Sequence, residues 1–318
     1  MEATMLRKLL VTTLLAQPLA GVALADHGDT TSPYDPLVQD LAIRTEPQMK
    51  GIHWSREFAA QTHGPAHTNP LMTYHGGKIM PTVVSKAIFW GPSWANASFV
   101  GDKITGLDAF YTGHSGSHYA KTVDEYTGSN GTVGATTTHQ GHVIDTSKAA
   151  GGGNTSTILA EVCKQITAGA IAVDHGGNGY YPVYSDVKRG GAQYCAWHSA
   201  GTCGGVPVQI AFFFNLDGDP GCDPADTTTG HSQGLAALAN VSGHELSEAR
   251  SDPSNPGAWY DSAGAENGDK CAWTFYVPYV TFSDGNKWKV QGEWSNAGYT
   301  AGTGYPNGAG QKGCLDGI

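Results

Sequence analysis

The sequence predicts an α/β fold: a single domain with a mixed β-sheet and a central helix, loop-rich and stapled by disulfides. Three observations carry this expectation. Residues 206–216 (VPVQIAFFFNL) form an apolar run with the composition of a strand buried on both faces. Residues 232–250 place Leu235, Leu238, Val241, Leu246 and Ala249 at helical spacing, with Ser232 as the N-cap and Pro253 beyond the end. Six cysteines, all beyond the midpoint of the 318-residue chain, give the even count expected of three disulfides in a secreted protein. No C-x-x-C pair points to a cysteine metal site instead.

Taken in order, residues 1–25 read as a secretory signal. Arg7 and Lys8 precede an apolar stretch, and Ala23-Leu24-Ala25 supplies the cleavage pattern. The stretch is too short and interrupted for a membrane anchor. Residues 26–71 are polar and proline-bearing and are expected to be irregular. The main domain is expected over 72–318. Strands are predicted at 82–90 and 180–187, and helices at 99–111, 119–126 and 157–170. The last of these is capped by Thr155 or Ser156 after the loop Gly151-Gly152-Gly153-Asn154. That loop lacks the lysine and preceding strand of a phosphate cradle. The acidic turn 217–223 lacks the spacing of a calcium-binding loop and reads as a solvated turn stapled by Cys222. The last third is expected to hold short strands and loops.

Charged residues are 14% of the chain, and its net charge of −10 argues against nucleic acid and anionic membranes as partners. An extracellular protein, a peptide or a cell-wall polysaccharide remains. Trp288, Trp294 and Tyr299 have the chemistry to stack on sugars, although tryptophans in a domain of this size more often pack its core and loops.

The chemistry concentrates at His244-Glu245-Leu246-Ser247-Glu248. On a helix His244 and Glu248 lie one turn apart on the same face, suited to gripping one metal ion. Glu245 beside them is placed to act as a general base toward water. A third ligand must come from downstream. Asp261 is favoured, Asp252 is the next choice, and Glu266 and Asp269 follow. Zinc accepts nitrogen and oxygen ligands and is the expected ion. A His/Glu/Asp set is harder and more anionic than a histidine-rich one and suits calcium or manganese better than that set would, so calcium is the alternative. The same residues also allow an unremarkable, partly exposed helix face on which Glu248 pairs with Arg250 or caps a loop.

Gly230-His231-Ser232-Gln233-Gly234 matches the nucleophile-elbow pattern, but no strand leads into the serine and His244 shares its helix. Ser232 as a helix cap explains the same residues. His63/His67, His114/His118 and His139/His142 read as scattered loop residues. Cys195-Ala-Trp197-His198 reads as a disulfide cysteine among core aromatics.

Several segments together resemble the phosphate-induced protein 1 (Exordium-like) family, in particular its bacterial and fungal secreted branch. They are Tyr74-His75-Gly76-Gly77 leading into VVSKAIFWG, Cys195-Ala-Trp-His198 before VQIAFFFN, HELSEARSDP, AWYDSAGAENGDKCAW and VQGEWSNA. The resemblance spans about residues 72–300. It implies an extracellular or cell-wall-associated protein with a signal peptide, linked in plants to growth responses. Two functions follow as expectations. One is a secreted metal-dependent hydrolase of peptidase type. The other is a non-catalytic extracellular binding protein with a structural metal or none.

Overall fold

The computed structural model describes residues 48–62, 69–254 and 256–317. The expected signal and most of the expected irregular segment lie outside these residues. At the centre is a six-stranded mixed sheet. Its strands are β1 (Lys50–Trp54), β2 (Val83–Trp90), β3 (Thr137–Asp145), β4 (Gly179–Lys188), β5 (Tyr194–Cys203) and β6 (Val206–Asn215). Their spatial order is β1-β5-β6-β4-β2-β3.

Strands β3, β2, β4 and β6 run parallel, and β5 and β1 continue the sheet antiparallel. Parallel neighbours need long crossovers, usually through a helix. Helix α2 (Lys103–His114) lies between β2 and β3 in the chain, and α3 (Thr155–Thr167) between β3 and β4. The antiparallel pair β5–β6 is joined instead by Gly204-Gly205. Both glycines have positive φ, 57° and 84°, as a tight two-residue hairpin turn requires.

Alternation along β5 sorts the two faces of the sheet. Trp197 donates its indole N–H to the Gly152 carbonyl, and Gly201 sits against Leu159 of α3. His198 points the other way, toward helix α4 (Gln233–Ser251). Helix α4 is thus packed on the face opposite α3. It lies along β1, β5 and β6 and against α2. Its cap is the one expected: Ser232 Oγ accepts from the Leu235 N–H at 3.1 Å.

One expectation about α4 changes. The apolar stripe predicts a helix with one solvated face, yet every residue from Gly234 to Ser251 is buried. Asn240, Ser242, His244, Glu245, Ser247, Glu248, Arg250 and Ser251 therefore lie inside the protein. Buried polar groups need partners or a bound cation.

Three further strands differ from the sequence expectation. β1 arises inside the segment expected to be irregular, which also supplies a short helix, α1 (Arg56–Thr62). β3 runs through His139–His142, expected as loop. It is an edge strand of mostly half-buried polar residues, so it lacks an apolar signal. β5 (YCAWHSAGTC) is built largely of small residues. Helix α3 is capped by Asn154, whose side chain accepts from the Thr157 N–H at 3.0 Å, and not by Thr155 or Ser156. The sequence-expected helix at 119–126 shrinks to a 3-10 turn, Ala120–Val123.

The six cysteines pair as Cys163–Cys203, Cys195–Cys222 and Cys271–Cys314. The first ties α3 to the end of β5, and the second ties β5 to the acidic turn. In that turn Asp219 pairs with Arg189 and Asp217 with Lys103. Trp288 and Trp294 are buried, so neither offers a stacking face, while Tyr299 remains half-buried. Among the described residues no helix is long and apolar enough to cross a membrane.

Candidate metal centre

Helix α4 carries His244, Glu245 and Glu248 into a closed space bounded by β1, β5 and the loop 261–271. All three are fully buried. The i, i+4 pair meets as its spacing predicts, with His244 Nε2 3.1 Å from Glu248 Oε2. From β5, His198 Nε2 approaches Glu248 Oε2 at 3.8 Å and Glu266 Oε2 at 3.3 Å. From the loop, Asp269 Oδ1 lies 3.7 Å from His244 Nε2, and the Asp269 backbone N–H donates to Glu248 Oε1 at 2.8 Å. Two sets of donor atoms lie mutually within 4.8 Å: His198, Glu245 and Glu248, and His244, Glu248 and Asp269.

The other sequence candidates are placed elsewhere. Asp252 pairs with Lys50 at 2.8 Å and accepts from the Ala258 N–H at the end of the helix. Asp261 pairs with Lys270 at 2.7 Å and accepts from the Ala263 and Ala265 N–H groups of its own loop. Neither belongs to the two donor sets. A carboxylate held by a lysine and backbone donors has its charge already matched, and both acids serve to shape chain turns. The lower-ranked acids Glu266 and Asp269 reach the site instead. Glu248 does not pair with Arg250, whose guanidinium donates to the Ala120 and Gly134 carbonyls, both at 2.7 Å. Ser232 is a cap bonded to Asp102 and faces no histidine base.

Two contributors escaped the sequence reading. His198 sits in a small-residue strand, and its only signal was the cysteine and tryptophan beside it. Gly51, on β1, has φ 45° and lies so close that a Cβ there would stand 1.9 Å from Glu248 Oε2 and 2.5 Å from His198 Nε2. The space between those donors exists because residue 51 has no side chain. Gln291 braces both His53 and His244. Its Oε1 lies 2.9 Å from His53 Nε2, and its Nε2 donates to the Gly268 carbonyl at 2.8 Å and faces His244 Nδ1 at 3.1 Å.

Burial dominates the electrostatics. It depresses His198 well below the usual imidazole range, helped by the Lys50 charge and by His244. It lowers His244 to about 4, against the opposing pull of Asp269. Burial also pushes the Glu245, Glu248 and Glu266 carboxyls well up. For Glu245 the largest neighbouring repulsions come from Glu248 and Asp269, and for Glu266 from Asp252 and Glu248. Without a cation these groups are forced toward neutrality.

A direct test of metal fit is whether buried donor atoms are left without protein partners. Both ring nitrogens of His198, His244 Nε2, both Glu245 oxygens, Glu248 Oε2 and Glu266 Oε2 are buried and make no hydrogen bond among the described residues. Orphaned polar atoms are rare in folded proteins, and here they converge. Imidazole nitrogen with carboxylate oxygen suits zinc, manganese or a related divalent ion. The donor set fits.

No family model, no curated protein and no solved structure matches this chain.

Proposed function

We propose that this chain is a secreted metal-dependent hydrolase of peptidase type, with its centre on helix α4. The observation that carries the reading is the convergence of orphaned nitrogen and oxygen atoms from His198, His244, Glu245, Glu248 and Glu266. His244, Glu248 and Asp269 hold the ion, and His198 with Glu245 lines the other side of Glu248. When bound, such an ion acts as a Lewis acid that polarises a carbonyl and makes water a better nucleophile. Among the described residues Glu245 has neither a lysine nor an arginine partner, and it takes the proton of the attacking water. The C–O bond forms as that proton leaves the water, and Glu245 returns it to the leaving amine as the C–N bond breaks. Gln291 fixes the His244 ring. The three disulfides fit an extracellular setting.

A second reading is a non-catalytic extracellular binding protein of the Exordium-like kind. Two observations favour it. The donors of α4 are fully buried, as in closed structural sites. The Gln291 amide also presents an N–H to His244 Nδ1. With Nδ1 accepting that N–H, the neutral ring carries its proton on Nε2, 3.1 Å from Glu248 Oε2, a pairing that needs no ion.

Metal analysis of the purified protein, paired with variants, separates the readings. The hydrolase reading expects stoichiometric zinc or manganese, lost in His244→Ala. It expects Glu245→Gln to keep the ion but lower peptide hydrolysis by about 10²–10⁴-fold. Absence of any bound divalent ion sinks it, as does hydrolysis indifferent to Glu245→Gln.

A further inference from the structure

The loop 261–271 closes one side of the centre, and an edge strand closes another. That strand is β1. β5 would be the edge of the sheet without β1, and its unpaired backbone would lie beside the donors that His198 and α4 hold. β1 pairs antiparallel along it, matching Lys50 with His198, His53 with Ala196 and Trp54 with Tyr194. The backbone of β1 passes directly across the donors. The Gly51 carbonyl faces the His244 ring, and the His53 N–H faces the Glu245 carboxylate. Gly51 itself touches Glu248 and His198.

The flanking side chains fill two formed pockets. Lys50 Nζ donates to Asp252 and to the Ser254 carbonyl, both at 2.8 Å, with Glu266 and Tyr260 also facing it. The His53 ring lies edge-on to Trp273 at 4.6 Å and bonds to Gln291. Beside Lys50 a cleft of about 950 Å³ continues the line of the strand, lined by Gln48, Lys50, Ser199 and Ser254 among others. The pairing is irregular between Lys50 and His53 and between His53 and Trp54. Yet a carbonyl at the donors, side chains seated in pockets on either side of it and antiparallel pairing to a sheet edge are what an extended peptide makes when it binds by strand addition.

We infer that β1 occupies the groove in which this protein binds an extended peptide, antiparallel to β5, with a basic residue seated as Lys50 is and a glycine at the donors. β1 is the built-in occupant, so the full chain is held in a covered state. This inference rests on the metal-hydrolase reading and gives that site its substrate class and its regulation. Asp252, bound to Lys50, is the specificity residue for the basic side chain. The absence of any Cβ space at position 51 restricts the central residue to glycine.

The test uses a labelled peptide of residues 48–56 and the metal-loaded full chain, wild type and Gly51→Ala. The alanine Cβ cannot be seated against Glu248 and His198, so β1 leaves the groove. The peptide is expected to bind Gly51→Ala at least about ten-fold more tightly than wild type, as strand addition to a freed edge requires. The same peptide carrying Gly51→Ala is expected to bind neither chain. Equal binding of the native peptide to both chains overturns the inference and leaves the metal reading intact. A wild-type chain that takes up no divalent ion fails the metal reading instead. Amide exchange on the wild type supplies an arm that needs no variant. β1 is expected to open with exchange at least about 100-fold faster than β6, as a separate cooperative unit. Exchange of β1 and β6 together, in one unit, also overturns the inference.

Discussion

At the residue scale, the two most informative side chains are neighbours on α4 with opposite kinds of burial. Arg250 is buried, and its Nη2 donates to the Ala120 and Gly134 carbonyls, while its Nε makes no hydrogen bond among the described residues. Glu245 is buried facing the His53 backbone N–H, and among the described residues neither of its oxygens completes a hydrogen bond or an ion pair. A buried charge bonded to backbone carbonyls serves the fold, whereas a buried charge facing other unpaired donors points to a ligand. The expected outcomes divide accordingly. Arg250→Met leaves two carbonyls without a donor and should cost about 2–5 kcal/mol in urea unfolding. Glu245→Gln should cost little stability, because it removes a repelling carboxylate. The prediction fails if the two variants unfold at the same urea concentration. His198→Ala should weaken metal binding by about 10–100-fold in a chelator competition, with the unfolding midpoint of the metal-free chain nearly unchanged.

At the element scale, the loop 261–271 delivers Glu266 and Asp269, and Cys271 anchors its end to Cys314. Replacing both cysteines by serine should cost about 2–5 kcal/mol and should lower metal affinity as well, because the acids lose their fixed position. Calorimetry and metal titration on the same sample check both halves. A second element-level device joins α2 to edge strand β3: Asp108 accepts from His139 Nε2 at 2.8 Å and His142 Nδ1 at 2.7 Å. Burial raises the Asp108 carboxyl, but the hydrogen bonds from His139 and His142 outweigh it and hold it below the usual range. A depressed folded-state pKa gives stability that is present above the unfolded value and lost as pH falls through the folded one. Asp108→Asn should therefore cost about 1 kcal/mol at pH 6 and nothing once the carboxylate is protonated in acid. An unchanged difference between pH 6 and pH 2 would contradict it.

These elements also show what was legible in the sequence. β2, β4, β6, α3 and α4 announce themselves through apolar runs or helical spacing, and they appear within a few residues of expectation. The pair His244 and Glu248 was legible because i, i+4 geometry is local. The partners across space were not. His198 is separated from Glu248 by 50 positions, and no periodicity links them. β1 is a five-residue edge strand containing a glycine at φ 45°, so it carries no alternation to read. Asp261 looked well placed because a loop return is a common source of a last ligand. Lys270, nine residues later, decides its fate by matching its charge.

At the scale of the whole molecule, the centre lies where α4, the β1–β5 edge and the disulfide-anchored loop meet, so an ion there is linked to the stability of all three. The metal-free chain faces opposing penalties. Burial raises the Glu245, Glu248 and Glu266 carboxyls, so the folded state holds protons that the unfolded chain releases, and stability falls as pH rises above the ordinary carboxylate range. Burial also depresses His244 to about 4, so stability falls again as pH drops below the ordinary imidazole value. A divalent cation removes the first penalty by stabilising the ionised carboxylates, and it leaves the imidazoles neutral as ligands. Chelation should therefore lower the thermal midpoint, and the loss should grow from pH 5 to pH 8. An ion held at about 1,000 times its Kd contributes about 4 kcal/mol, or roughly 10 °C for a chain of this size. Differential scanning fluorimetry with and without chelator across that range measures it. A chelator effect that is absent at pH 8, or larger at pH 5 than at pH 8, would show that the buried carboxylates of α4 are not balanced by a metal.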